Sequence, residues 1–358
     1  MEQQEIVIDH PAREGSGLLA VVYPEILKAH GWDLAFWTCS DEAPVEASLG
    51  ALGRRRDTGE WEVVHPAKVK PNRKRPTDDC EALARRGDQV WLFGSQFGPK
   101  PGPLSPRRHF VARFDEARVG GRIDKTKIDL EVARGSFQLH RLINDALQAS
   151  GLELIERGPN EERQCIQKAR KKGKRQGKTW AQRIRSDDWP INLEAATFLV
   201  SGNLLLGLRY PVTREGQPIL VELANPDTLF QDGEQPEIRA LRVIDVGSRD
   251  EPRGVRALES FKEEVHAITG NLDSDPEESV LVQDHPEGSK AESCHHRLIY
   301  PGDTANSSAK EDRRVHAEEV HLLKDRTKVE GLALDGEGCF WYVVDDEKIR
   351  LLRVEVAV

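Results

Sequence analysis

Three stretches of the chain follow one order of residue types: CEALARRGDQVWLFGSQ (80–96), LEAATFLVSGNLLLGLR (193–209) and VEGLALDGEGCFWYVVD (329–345). Each runs through an apolar residue or Cys, then Glu, a small residue, a Gly turn and a strand of large apolar side chains. Such repetition limits the possible folds sharply, because each copy is one supersecondary unit that needs neighbours to cover its apolar side. A strand, a Gly turn and a second strand make a β-hairpin, which is marginal in water by itself. A third strand follows each copy, HFVARFD (109–115), PILVELA (218–224) and IRLLRVEV (349–356), and KIDLEVA and IRALRVIDV supply a fourth. Four antiparallel strands repeated along a chain predict the blade of a β-propeller.

Two weaker units fill the gaps: DLAFWTCSDEAPVEASLGALG with GEWEVVHP, and GVRALESFKEEVHAITGN with HHRLIYPG (254–302). The expected fold is therefore all-β, a single β-propeller over residues 1–358 with five blades legible and six possible. The early segment EIVID is the expected closing strand. LAFWTCSDE (34–42) and GCFWYVVDDE (338–347) read as the same second strand in two blades.

In a propeller the first strand of each blade lines the central channel, so Glu81, Glu194 and Glu330 should converge there. They serve either as acceptors for backbone N–H groups of adjacent blades or as ligands. Asp41, Glu42, Asp345 and Asp346 fall on the same expected rim. Carboxylates so placed suit Ca or Mg, and such an ion clamps phosphate oxygens, with Arg209 and Arg256 available to the anion. Asp-rich turns between strands are also ordinary turn chemistry. No motif demands a cofactor. There is no G-x-S-x-G elbow, Walker A sequence or dinucleotide fingerprint. SCHHRL (293–298) lacks the second ligand pair that a zinc site needs, and adjacent strand histidines point to opposite faces.

The motifs from 78 to 272, taken in order with VEGLA after them, resemble a bacterial β-propeller family without an assigned activity, distantly similar to the esterase-like phytase propellers. The resemblance implies a propeller and leaves the reaction open. Relatives usually carry Gly-Ser-His where this chain has Gly94, Ser95 and Gln96, and Glu-Gly-Leu-Ala where it has Glu194, Ala195, Ala196 and Thr197. Gln96 cannot act as a titratable base.

Residues 136–190 read as a helical and basic insertion. SFQLHRLINDALQASG (136–151) predicts one amphipathic helix, with Ser136 as N-cap, Leu139, Leu142, Ile143, Ala146 and Leu147 at helical spacing, and Gly151 as the stop. Residues 161–185 hold ten Lys or Arg and two Glu, a local charge of +8 that leaves −17 for the rest of the chain. This run is either a solvated, mobile loop or a docking element. As a docking element, Lys168, Arg170, Lys171, Lys172, Lys174, Arg175 and Lys178 would attract an acidic protein surface, with Trp180 as anchor, or a phosphate backbone through 163–185. KVKPNRKRP (68–76) is expected to be a connecting loop.

The apolar runs are far shorter than the roughly 20 residues needed to span a bilayer. Met1 leads into EQQEIVID without a basic region or an apolar core of a leader. The expectation is a soluble, cytoplasmic protein with no membrane contact. Five widely spaced cysteines argue against a disulfide framework. The leading functional expectation is a non-catalytic binding or scaffolding propeller that recognises a protein partner. The alternatives are a divalent-metal-dependent phosphoesterase at the channel mouth and a nucleic-acid-responsive protein.

Overall fold

The repeated segments pair as their order implies. The computed structural model describes residues 3–8, 15–73, 76–133, 135–300, 313–344 and 348–355. Strand β1 (Gln3–Ile8) precedes a four-stranded antiparallel set, β2 (Ser16–Ala20), β3 (Trp32–Cys39), β4 (Gly50–Arg55) and β5 (Trp61–Val64). After β6 (Lys68–Pro71) comes a second set, β7 (Cys80–Arg86), β8 (Gln89–Gly94), β9 (Val111–Asp115) and β10 (Lys127–Val132). A third holds β11 (Asn192–Phe198), β12 (Leu204–Tyr210), β13 (Ile219–Ala224) and β14 (Glu237–Ile244). A fourth holds β15 (Gly254–Phe261), β16 (Glu264–Gly270), β17 (Cys294–Ile299) and β18 (Arg314–Leu322). The last is β19 (Val329–Leu334), β20 (Cys339–Val344) and β21 (Ile349–Glu355), completed by β1, which pairs with β21 from Gln3↔Val354 to Ile8↔Ile349. The third and fourth sets touch through two parallel pairs between β14 and β18.

The leading strands pack in a closed cycle: β2 on β7, β7 on β11, β11 on β15, β15 on β19, and β19 on β2. Sheets arranged around one axis with their leading strands innermost define a propeller. The chain is a β-propeller. The inner strands approach so closely that a Cβ on Gly331 would lie 2.8 Å from the Leu18 nitrogen and 2.6 Å from Val343 Cγ1, so only glycine fits at that position. The second strands carry large side chains into the layers between sheets, and Phe36, Trp37, Trp91, Phe93, Trp341 and Tyr342 are all fully buried.

Several expectations need correction. KVKP is not loop, because β6 pairs in parallel with β10. The helix of the insertion, α1 (Gln138–Ser150), is not capped by Ser136; the chain enters it through Phe137 in the left-handed region, φ 63°. Its end at Gly151, φ 68°, and its buried Leu139, Ile143 and Leu147 match the spacing. The basic run is not a mobile loop. Glu161–Gln167 forms a π-helical turn that continues into α2 (Lys168–Arg175), whose inner face buries Cys165, Ile166, Ala169 and Gly173. No helix among the described residues is long and apolar enough to cross a membrane.

Candidate functional site

The inner strands β2, β7, β11, β15 and β19 each carry a β-bulge near their start, between Ser16 and Leu19, Cys80 and Ala82, Leu193 and Ala195, Val255 and Ala257, and Val329 and Gly331. A bulge inserts an extra residue and re-aims its side chain. In four strands that residue is charged: Glu81, Glu194, Arg256 and Glu330. In β2 the stretch contains Gly17, which has no side chain. Residues 17, 81, 194 and 330 line one narrow axial channel with their neighbours. The three glutamates do converge on the axis, and a buried arginine stands with them.

Two of the three are neutralised by that arginine. Arg256, 1% exposed, pairs through Nη2 with Glu330 and lies 3.7 Å through Nη1 from Glu194. Arg209 reaches Glu194 at 2.9 Å and also donates to the backbone oxygen and side chain of Asn271, both at 3.2 Å. Asn192 donates to Glu194 Oε1 at 3.1 Å. Burial pushes the Glu194 carboxyl up, but Arg209 and Arg256 outweigh it and hold it below the usual range. Read from sequence as anion-binding candidates, both guanidiniums are engaged by glutamates instead.

Glu81 is placed differently. Burial raises its pKa well above the ordinary value, and Glu194, Asp79, Asp41 and Glu330 each push it further in the same direction. Asp41, Glu81 and Glu330 offer carboxylate oxygens that all lie within 4.8 Å of one another, though they come from three different sheets. Beside them Asp79, buried and at φ 63°, has its pKa pushed up to about 7 by burial, against the pull of Arg108 at 2.7 Å and of Ser95. Glu42 is exposed and stands outside the group. Asp345 and Asp346 lie outside the described residues. The donors are all carboxylates, so the set fits a hard, oxygen-preferring cation such as Ca or Mg and not zinc.

The charges at Asp79 and Glu81 set a pH dependence. Their folded pKa values lie above the ordinary carboxylate values of about 4. The stability they contribute when protonated is therefore complete below that range and lost as pH rises through their raised folded values, which for Asp79 is about 7. Asp79→Asn, which mimics the protonated form, should gain stability relative to the parent between about pH 4 and 7 in metal-free urea melts. A constant difference across that window would show that Asp79 does not titrate there.

Other sites differ from their sequence readings. His295 and His296 sit on a buried strand and are engaged inside the protein: His295 meets Tyr342 OH at 2.8 Å and His266 at 3.0 Å, and His296 meets Thr269 at 3.0 Å. Trp180 is not an exposed anchor, since it stacks on Phe137 with centroids 4.9 Å apart and packs over Gly173. Lys168, Lys171, Lys172, Lys174 and Arg175 are exposed, and Arg170 and Lys178 half-exposed. One buried cluster was not foreseen. Tyr210 OH donates to Glu161 Oε2 at 2.6 Å and His285 Nε2 lies 2.7 Å from Oε1, which ties the insertion to the ring. Its members are 49 to 124 residues apart and share no local motif.

No protein-family model and no curated protein sequence matches the chain. Among solved structures it is similar to a glucose dehydrogenase, at 10% identity and a TM-score of 0.41, over 99% of this chain and 100% of that one. It is also similar to the WD40 β-propeller domain of Doa1, at 8% identity and a TM-score of 0.36, over 98% and 96%. A GH43 protein from Bacillus licheniformis gives 9% identity and a TM-score of 0.41, over 98% of this chain and 55% of that one. The fold assignment rests on the strand pairing above, and the activities in those names belong to those proteins.

Proposed function

We propose that the channel mouth binds an oxygen-preferring divalent cation through Asp41, Glu81 and Glu330, and that the protein is a metal-dependent hydrolase working at that mouth. The observation that carries this reading is the meeting of three carboxylates from three sheets, with Glu81 lacking any cation among the largest charges acting on it. Like charges so close and so buried are costly unless a counter-ion joins them. A bound divalent ion supplies Lewis acidity and a water of lowered pKa. Asp79, with a pKa of about 7, is the general-base candidate, because proton transfer is most efficient near the working pH. Arg209 and Arg256 are engaged by Glu194 and Glu330, so an uncharged ester suits this mouth better than a phosphomonoester.

A second reading draws on Arg256 itself. Its bridge between Glu194 and Glu330 links three successive inner strands, as expected if the ring is a strut inside a non-catalytic propeller that recognises a protein partner. With each four-stranded set counted as one blade, that propeller has five blades. Thermal melts separate the two readings. Ca or Mg at about a hundred times its Kd should add about 2.7 kcal/mol of stability, and Glu81→Gln should remove most of the gain. Hydrolysis of p-nitrophenyl acetate should depend on the cation and drop on Asp79→Asn by about a hundredfold or more. A melting curve indifferent to both cations ends the metal reading. Stabilisation without hydrolysis leaves the strut.

A further inference from the structure

We infer that the outer face of α2 binds the phosphate backbone of a duplex nucleic acid. Lys168, Lys171, Lys172 and Arg175 stand at spacings of three, four and seven residues, which places them in one stripe along the helix. Lys174 and Lys178 flank it. Like charges at this spacing oppose one another, so the stripe disfavours its own helix unless something anionic faces it.

None of these six cations makes an ion pair with a described residue. The contrast with the rest of the surface is informative. Several exposed arginines elsewhere pair with nearby acids, as in Arg122 with Asp124, Arg249 with Glu215 and Arg297 with Glu318, although Arg107 and Arg314 do not; α2 differs in gathering its unpaired cations along one helix face. The chain carries 61 acids against 52 Lys and Arg, so an unpaired basic stripe does not arise from a shortage of carboxylates.

The stripe is also held in place without a partner. Behind it Cys165, Ile166, Ala169 and Gly173 are buried, and a Cβ on Gly173 would come within 2.7 Å of Trp180 and Ala181. The helix therefore needs no ordering on binding, unlike a disordered basic tail.

Composition chooses between the two kinds of anionic partner. Protein interfaces are depleted in Lys and anchored by Trp, Tyr and Arg. This face is mostly Lys, and its one tryptophan is stacked inward on Phe137. The same inward stacking leaves no aromatic platform for unpaired bases. Lysine acts as a flexible point charge suited to sequence-independent phosphate contact. From Lys168 to Arg175 the stripe runs about 10 Å, enough to follow about three phosphates of one strand at roughly 3.4 Å each.

The test is fluorescence anisotropy with a duplex DNA of arbitrary sequence, about 20 base pairs long. Engagement of about three phosphates should weaken binding by roughly fortyfold between 50 and 200 mM salt. The variant Lys168→Gln/Lys171→Gln/Lys172→Gln/Arg175→Gln should lose binding at the lower salt with its melting temperature unchanged or slightly raised, since the repulsion along α2 is relieved. If it melts early, Lys172→Gln alone replaces it and should reduce the log–log salt slope by about one. No anisotropy change at low salt, or parental binding by the variant, overturns the inference. Tighter binding of poly-glutamate than of the duplex also overturns it and assigns the face to an acidic protein.

Discussion

Arg256→Met should lower the free energy of unfolding by about 3–5 kcal/mol, the usual cost of removing one partner from a buried ion pair. The side chain is 1% exposed and its guanidinium lies between Glu194 and Glu330. Without it two carboxylates remain in a channel that already holds Glu81 and Asp79. The cost therefore comes from the charge left behind and not from lost packing, since Met is apolar and unbranched. Two companion measurements follow. Adding Glu330→Gln to Arg256→Met should restore much of the loss, because removing a buried pair together is often close to neutral. A divalent cation should stabilise Arg256→Met more than the parent, as the ring has become more negative. A urea melt showing a loss below about 1 kcal/mol would mean that the guanidinium is not a joint of the ring.

Removal of residues 1–8 should be at least as damaging. β1 supplies six paired residues along β21, and Ile8 is buried against the group containing Trp341 and Leu351. At about 1 kcal/mol for each net hydrogen bond and about 1.5–3 kcal/mol for burying Ile8, the loss exceeds about 5 kcal/mol. Glu5 would also leave its ion pairs with Arg326 and Arg350, exposed contacts of smaller weight. The bare edge of β21 would then offer unpaired backbone groups to any passing strand. The truncated chain is expected to melt much earlier and to aggregate, and a synthetic peptide covering residues 1–8 should raise its melting temperature. Unchanged melting after truncation would show that the pairing contributes nothing to closure.

The fold was legible where the ring position carries charge. CEALA, LEAAT and VEGLA announce three inner strands because Glu before a small residue is a conspicuous pattern. SGLLA, the inner strand β2, passed unread because Gly17 stands where the others have a charged side chain. In GVRALE the same slot holds Arg256, so offsetting that segment against CEALA would have found the fourth charged member. β18 was missed for a different reason: RVHAEEVHL lies at the outside of its sheet and is half-exposed along most of its length, so it has no apolar face to display. The acidic group was legible only in part. Glu81 and Glu330 follow from the repeat, whereas the raised pKa of Asp79 comes from burial and from neighbours that the sequence does not place beside it. The order in 161–175 was hidden because Cys165, Ile166, Ala169 and Gly173 are sparse among lysines, and two of them are small.

The pairing of β1 with β21 also has a consequence in time. Glu5 is made 345 residues before Arg350, its partner across the closing sheet. During synthesis β1 must wait on the ribosome as an unmatched ribbon while every intervening sheet forms, so the ring stays an open arc until its last strand emerges. Nascent chains of this protein should depend on chaperones late in translation, and a stalled chain that stops short of β21 should be recognised by the cell as unfinished.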